Sequence, residues 1–289
     1  MDARTRDTVA RALGSPVTST DSIPGGDINV AYRVQLEDGR HVFVKVNPGA
    51  ARDMFPAEAR GLSWLAEAGA LRVPQVLAVS DPEGDEPAFL ALELLEPGAR
   101  RPDFDEALGR GLAALHRFGA PSFGLDHHNF IGRLPQDNTP AGDWVTFYRE
   151  RRLEPQLRQA TDRGLVSSRM REGFDRLLPR LDTLVGPAEP PARLHGDLWG
   201  GNLHVDDRGE PALIDPAVYG GHREMDLAMM RLFGGFGKGV FRAYDEAYPL
   251  APGADERVPL YQLYPLMVHV NLFGSGYFRS VERALARLV

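Results

Sequence analysis

The stretch Arg193-Leu194-His195-Gly196-Asp197-Leu198-Trp199-Gly200-Gly201-Asn202, followed by Leu203-His204-Val205, a turn, and Pro211-Ala212-Leu213-Ile214-Asp215-Pro216-Ala217, decides the reading of the chain. It places a carboxylate at Asp197, an amide five residues later at Asn202, and a second carboxylate at Asp215. A loop of this length carries Asp197 and Asn202 to the same side of one cleft. The hairpin from Leu203 to Ile214, turned by Asp206-Asp207-Arg208-Gly209, delivers Asp215 to it. Singly, Asp197 and Asn202 read as ordinary turn residues near glycine. The ordered set, with apolar strands between its members, reads as chemistry.

The chemistry that needs these groups in this order is phosphoryl transfer. In kinase-type phosphotransferases an aspartate takes the acceptor hydroxyl's proton, an asparagine just downstream binds magnesium, and a second metal-binding aspartate follows a short hairpin. Asp197, Asn202 and Asp215 fall at those places. Magnesium prefers hard oxygen ligands and keeps several waters, so one amide oxygen, one carboxylate and the oxygens of ATP suffice.

Upstream, Gly25-Gly26 opens a strand-forming run to Val34, and Glu37-Asp38-Gly39-Arg40 turns the chain into His41-Val42-Phe43-Val44-Lys45-Val46. Glycines at a hairpin entrance let backbone amides approach phosphates, although a glycine pair is more often an ordinary turn. Lys45 in an apolar strand must reach solvent or an anion, and the kinase pattern uses such a lysine on the nucleotide phosphates. Residues 55–68 read as the next helix, with Glu58 as the candidate partner of Lys45 or simply as a carboxylate favoured by the helix N-terminus. Strands over 73–79 and 88–95 complete a small antiparallel sheet. Glu93, Leu94 and Leu95 are candidates for meeting adenine through their backbone, which leaves side-chain identity uninformative.

Beyond Gly98 the pattern is helical over 104–118, 144–160, 173–184, 226–233, 241–248 and 260–273. His116 reads as structural rather than as a ligand. Asp226 either holds the catalytic loop by accepting hydrogen bonds or is favoured by a helix N-terminus. His269 and Asn271, polar in an apolar helix, either bond backbone in the core or point at substrate. Trp199 packs on substrate or on its own loop.

Length, charge and composition set the class. A chain of 289 residues buries a substantial core. The formal net charge of −7 argues against a nucleic-acid partner. Absence of cysteine excludes disulfides and thiolate chemistry. The first residues lack the apolar core of a signal peptide and no run has membrane-span length, so a cytoplasmic enzyme with no membrane partner is expected.

The motifs His195 to Asn202, Asp215-Pro216-Ala217-Val218-Tyr219-Gly220, His222-Arg223-Glu224 and Asp226-Leu227-Ala228-Met229 resemble the signature of the fructosamine (ketosamine) kinases. These form part of the aminoglycoside-phosphotransferase-like branch of the protein kinase fold. The likeness runs from Gly25-Gly26 to Asn271-Leu272-Phe273-Gly274, nearly the whole chain. It implies an α+β, bilobal protein-kinase-like fold: residues 1–95 as a nucleotide-binding lobe with a small antiparallel sheet and one main helix, and 96–289 as a mostly helical catalytic and substrate-binding lobe. It implies ATP-dependent phosphorylation of the sugar 3-hydroxyl of a small-molecule ketosamine or glycated amine. Asp197 would be the base, Asn202 and Asp215 the Mg2+ ligands, and Lys45 with Glu58 the phosphate clamp. Trp199, His222, Glu224, His269 and Asn271 are candidate substrate contacts. His195-Gly196-Asp197 and Asp215-Pro216-Ala217 depart from the protein-kinase triplets, and no activation segment is recognisable, so a small-molecule acceptor fits better than a protein-kinase mode of control. Kinases of another small metabolite, such as an aminoglycoside or amino alcohol, and a silent nucleotide-binding module are the rival readings.

Overall fold

A computed structural model describes residues 1–24, 29–80 and 86–289. The chain forms two compact units, Met1–Phe104 with Leu203–Pro216, and Asp105–Asn202 with Ala217–Val289.

The first unit contains α1 (Ala3–Leu13), the strands β1 (Val17–Ile23), β2 (Val30–Leu36) and β3 (His41–Val46), then α2 (Met54–Ala66), β4 (Val76–Val79) and β5 (Phe89–Glu93). The strands form one antiparallel sheet in the order β1-β2-β3-β5-β4. Alternation along a strand sorts its side chains to two faces. On β3, Val42, Val44 and Val46 join Val9 and Leu13 of α1 in one core, while Phe43 packs with Phe55, Ala59 and Leu62 of α2 in another. Lys45 shares the parity of Phe43 and therefore faces α2. Strand β1 was not expected from sequence. Its Thr18-Ser19-Thr20-Asp21-Ser22 run is polar because β1 lies at the sheet edge.

The expected boundary at residue 95 moves. The hairpin Leu203–Val205/Pro211–Leu213 packs with the first unit because Arg72 and Ala212 form a bridge, and Leu213 N–H donates to the Arg72 carbonyl at 2.8 Å. Gly98 N–H donates to Val205 O at 3.0 Å and Arg101 N–H to Gly209 O at 3.2 Å, which ties residues 96–104 to the same hairpin. Asp206, fully buried at the turn, accepts from Arg208 and Glu210 N–H at 3.0 and 2.8 Å and from the Arg72 guanidinium.

The second unit is helical: α3 (Phe104–Phe118, begun at the last residue of the first unit), α4 (Trp144–Phe147), α5 (Glu154–Asp162), α6 (Ser168–Leu177), α7 (Leu181–Leu184), α8 (Glu224–Phe233), α9 (Lys238–Ala247), α10 (Ala254–Phe273) and α11 (Phe278–Leu285). Its core gathers Leu260, Leu263, Met267 and Val270 of α10 with Phe174, Leu177, Leu181, Val281 and Leu285. The expected helix 144–160 is interrupted by a π-turn over Tyr148–Leu153. Pro155 has no N–H for the Arg151 carbonyl, and Arg152 Nη1 donates to that carbonyl instead, at 3.0 Å.

Arg152 is fully buried, with its guanidinium carbon 3.9 Å from the Tyr219 ring centre and 4.5 Å from that of Phe147. It also donates to Asp137 O at 2.6 Å and Asn138 Oδ1 at 2.7 Å. Replacing it by methionine leaves the buried Asn138 Oδ1 and the partly buried Asp137 and Arg151 carbonyls without this donor. Arg152→Met is expected to cost about 3 kcal/mol, read as a lowered urea midpoint; an unchanged midpoint would show that the cage contributes only packing.

Candidate active site

In the first unit the lysine predicted from an anomalous strand position meets its partner. Lys45, buried, donates to Glu58 Oε1 at 2.7 Å and to Asp215 Oδ1. Glu58 lies on the sheet-facing side of α2, between Phe55 and Leu62, which are nearly fully buried. Asp215 follows the hairpin in a left-handed conformation, φ 55°, the one non-glycine residue with positive φ among the described residues. Burial works against the Lys45 ammonium, but Asp215 and Glu58 outweigh it and hold its pKa above the usual lysine range. A fully charged lysine between two carboxylates is a fixed cation suited to a polyphosphate. Glu93 ends β5 opposite Val42 and its carboxylate pairs with Arg72 at 2.6 Å, so Leu94 and Leu95 lie beyond the ladder. Gly25 and Gly26 lie outside the described residues.

In the second unit Asn202 Nδ2 donates to Asp197 O at 2.8 Å and to Asp197 Oδ2 at 3.2 Å. An amide that spends its nitrogen on Asp197 has its oxygen as the acceptor suited to a hard cation. The loop before it is suspended from Asp226, whose carboxylate accepts from His195 N–H at 2.8 Å and Gly196 N–H at 2.9 Å, with His116 Nε2 at 3.2 Å. Burial tends to raise the Asp226 pKa, but His116, His195 and the Gly196 amide outweigh it and hold it below the usual range. Both readings of Asp226 therefore hold, since it lies in the first turn of α8 and also anchors the loop. Gly196 has φ 82°, and a Cβ there would fall 2.0 Å from Ala217 O, so this position admits glycine alone. On the other side, Ala217 N–H donates to His195 O at 2.9 Å. The Ala217 and Val218 carbonyls accept in turn from Gln136 and Asn129 at 3.1 and 2.8 Å.

The sequence profile described as fructosamine kinase matches residues 1–289. The chain belongs to the fructosamine kinase family. Membership makes it an ATP-dependent ketosamine kinase. A chloroplastic protein-ribulosamine 3-kinase of Arabidopsis thaliana is 38% identical over 267 residues, covering 91% of this chain and 80% of the plant protein. A crystal structure from Thermobifida fusca, assigned as a fructosamine-3-kinase, is 42% identical with a TM-score of 0.88 and covers 98% of each chain. The fold extends to an aminoglycoside phosphotransferase solved with ADP and hygromycin B, 14% identical, TM-score 0.66, covering 99% of both chains. The expected α+β kinase fold is thus the observed one.

For a fructosamine kinase, the remaining candidates divide by exposure. Trp199 is exposed beside its loop. His269, partly buried, bonds the Pro265 carbonyl at 2.7 Å through Nδ1 and presents one ring face to Phe233. The other three expectations of substrate contact meet buried side chains. Asn271 is 1% exposed and donates to Gln156 O and Oε1 at 2.9 and 2.8 Å. Glu224 forms a double bridge to Arg257 at 2.6 and 2.9 Å. His222 is 3% exposed and stacks on Tyr261 with ring centres 5.1 Å apart. With Arg223, which is held by Glu189 at 2.8 Å, His222 and Glu224 fix the start of α8 and so the position of Asp226. Arg72, Arg152 and the Asn129-Gln136-Asn138 amides were missed because isolated polar residues in short irregular segments carry no periodic signal.

Burial pushes the His222 pKa down to about 4; Glu189 works the other way, and Arg257 and Arg223 add to the fall. An unfolded histidine titrates near 6.5, so between about pH 6.5 and 4 the unfolded chain binds a proton that the folded chain does not. This contribution is present above pH 6.5 and lost as pH falls to 4, worth about 3 kcal/mol. Denaturant midpoints should therefore fall less steeply over this window in His222→Gln than in the unaltered protein. Parallel slopes would mean that His222 titrates normally when folded.

Proposed function

We propose that the protein transfers the γ-phosphoryl group of ATP to the sugar 3-hydroxyl of a ketosamine, the Amadori product of a sugar and an amine. The 3-phosphate is prone to eliminate and release the amine, so the activity serves deglycation, in a cytoplasmic setting. The first unit is the nucleotide-binding part and the second the catalytic and acceptor-binding part. The observation that carries the reading is the loop in which Asn202 is bonded to both the carbonyl and the carboxylate of Asp197, itself anchored by Asp226.

Phosphoryl transfer passes through a loose transition state, so alignment and charge neutralisation do most of the work. Asp197 orients the sugar hydroxyl and accepts its proton late. Asn202, which turns its amide nitrogen to Asp197, and Asp215 are the magnesium ligands in this reading. Magnesium, when bound, supplies neutralisation of the triphosphate charge. Lys45, kept charged by Glu58 and Asp215, holds phosphate oxygens, and the Leu94–Leu95 backbone, with Gly25-Gly26, completes nucleotide binding.

The test is to incubate the protein with ATP, magnesium and a panel of fructosyl-lysine, ribulosyl-lysine and several aminoglycosides, and to follow phosphate transfer by mass. Selective phosphorylation of a ketosamine is expected. Transfer only to an aminoglycoside would retain the kinase and discard the substrate. Asp197→Ala should reduce kcat by about 10³-fold or more, while ATP binding and melting temperature stay close to those of the parent, because the Asn202 bond to the Asp197 carbonyl survives. Near-normal kcat would remove Asp197 from the base's role. Lys45→Met should weaken ATP use by about 10²-fold in kcat/KM, with little change in the KM for ketosamine; an unaltered kcat/KM for ATP would sink the clamp.

A further inference from the structure

Beside the catalytic loop, five rings from three separate segments of the second unit form one continuous stripe. Trp199, two residues after Asp197, lies across Gly201, where a Cβ would fall 2.3 Å from the indole's Cη2. Glycine at this position leaves the space for the indole. The indole meets Phe233, at the end of α8, edge-on with ring centres 6.5 Å apart. Phe233 lies 4.6 Å from His269, and His269 lies 5.5 Å from Phe273 and 4.9 Å from Tyr277. Six large hydrophobic side chains are exposed among the described residues, and three of them, Trp199, Phe233 and Phe273, are in this stripe. Clustering of that kind on a surface marks a binding face rather than leftover core.

The imidazole gives the stripe a polar point. A carbonyl can only accept, so Nδ1 of His269 carries the proton donated to Pro265 O, and Nε2 holds a lone pair. Burial lowers the His269 pKa against the opposing Pro265 bond, which keeps the ring neutral near pH 7. The face is thus aromatic, with the His269 Nε2 lone pair, the Tyr277 hydroxyl and the Trp199 indole N–H as its polar groups. Such a face fits a substituted amine: its N–H donates to Nε2, its positive charge is favoured by ring faces, and its carbon chain lies on the rings. In a ketosamine the amine sits on C1, two carbons from the 3-hydroxyl that Asp197 would serve. A group just beyond the base along the loop is placed to meet it.

We propose that Trp199, Phe233, His269, Phe273 and Tyr277 form the subsite for the amine side of the ketosamine, selecting amines that carry an apolar or aromatic group, with His269 Nε2 accepting the amine N–H. This rests on the ketosamine reading above and extends it to the class of amine. A glycated amine with a long alkyl or aryl substituent is the preferred substrate, and a minimal one is used poorly.

The test compares kcat/KM, at saturating ATP and magnesium, for 1-deoxyfructose carrying methylamino, hexylamino and phenethylamino groups at C1. Covering half of the added methylenes predicts that the hexyl compound exceeds the methyl compound by about tenfold or more. Phe273→Ala, at a half-exposed position that does not endanger folding, should bring that ratio close to one. Phe118→Ala, an equally exposed ring outside the stripe, should leave the ratio as it is. His269→Phe keeps the aromatic surface and should lower kcat/KM for all three compounds alike, by about tenfold. Equal use of methyl and hexyl compounds by the unaltered protein, or a ratio that survives Phe273→Ala, overturns the subsite while the ketosamine kinase stands. Failure to phosphorylate any of the three overturns both.

Discussion

The loop from His195 to Asn202 depends on one buried carboxylate. Asp226 is taken almost entirely out of water, which is costly for a charge unless donors surround it. The donors available are the backbone N–H groups of His195 and Gly196 and the ring of His116, so the charge is satisfied only when the loop passes directly over the start of α8. The carboxylate and the loop therefore fix one another. His116 is held from behind by the Tyr244 hydroxyl at 2.8 Å, and the Arg223–Glu189 and Arg257–Glu224 pairs hold the first turn of α8. The charged residues in this region serve to position a backbone, which explains why His222 and Glu224, grouped in a signature that looks functional, end up inside the protein.

How much of this could be read in the sequence depends on the kind of signal each residue leaves. The Lys45–Glu58 pair was legible from one broken pattern, a lysine within an apolar strand, joined to the kinase pattern that draws its partner from the next helix. The Asp197–Asn202 contact was legible because a fixed loop length translates directly into geometry. Strand β1 was not legible, because polar edge strands look like loops. The break in the helix at Tyr148–Leu153 was not legible either, since Pro155 is tolerated near a helix start and only the observed Arg152 bond to the Arg151 carbonyl shows where the extra residue is accommodated.

The unit boundary makes the same point at larger scale. Nothing in the hairpin Leu203 to Ile214 says which core it joins. That is decided by Arg72, a residue more than a hundred positions earlier, whose carbonyl and guanidinium serve Leu213 and Asp206. Long-range pairing of a short hairpin with an irregular segment carries no local periodicity, so a reading by windows assigns the hairpin to its sequence neighbours. The consequence is that Asp215 belongs with Lys45 and Glu58, and the three meet within one unit.

The same arrangement limits where acceptor choice can be encoded. In the loop from His195 to Asn202, Gly196 admits no side chain, His195 is fully buried, Leu198 is in the core, Asn202 is spent on Asp197, and Gly201 must stay bare beneath Trp199. A loop so constrained cannot be altered to suit a new substrate without losing its own geometry. Variation can enter only through side chains that the loop does not depend on. The ends of α8 and α10 supply such positions in Phe233 and Phe273, which contribute exposed rings and no hydrogen bond to the loop's support. The two sets of residues are therefore held differently, the loop locked by buried polar contacts and the rings resting on an open aromatic surface that can change at little cost to stability.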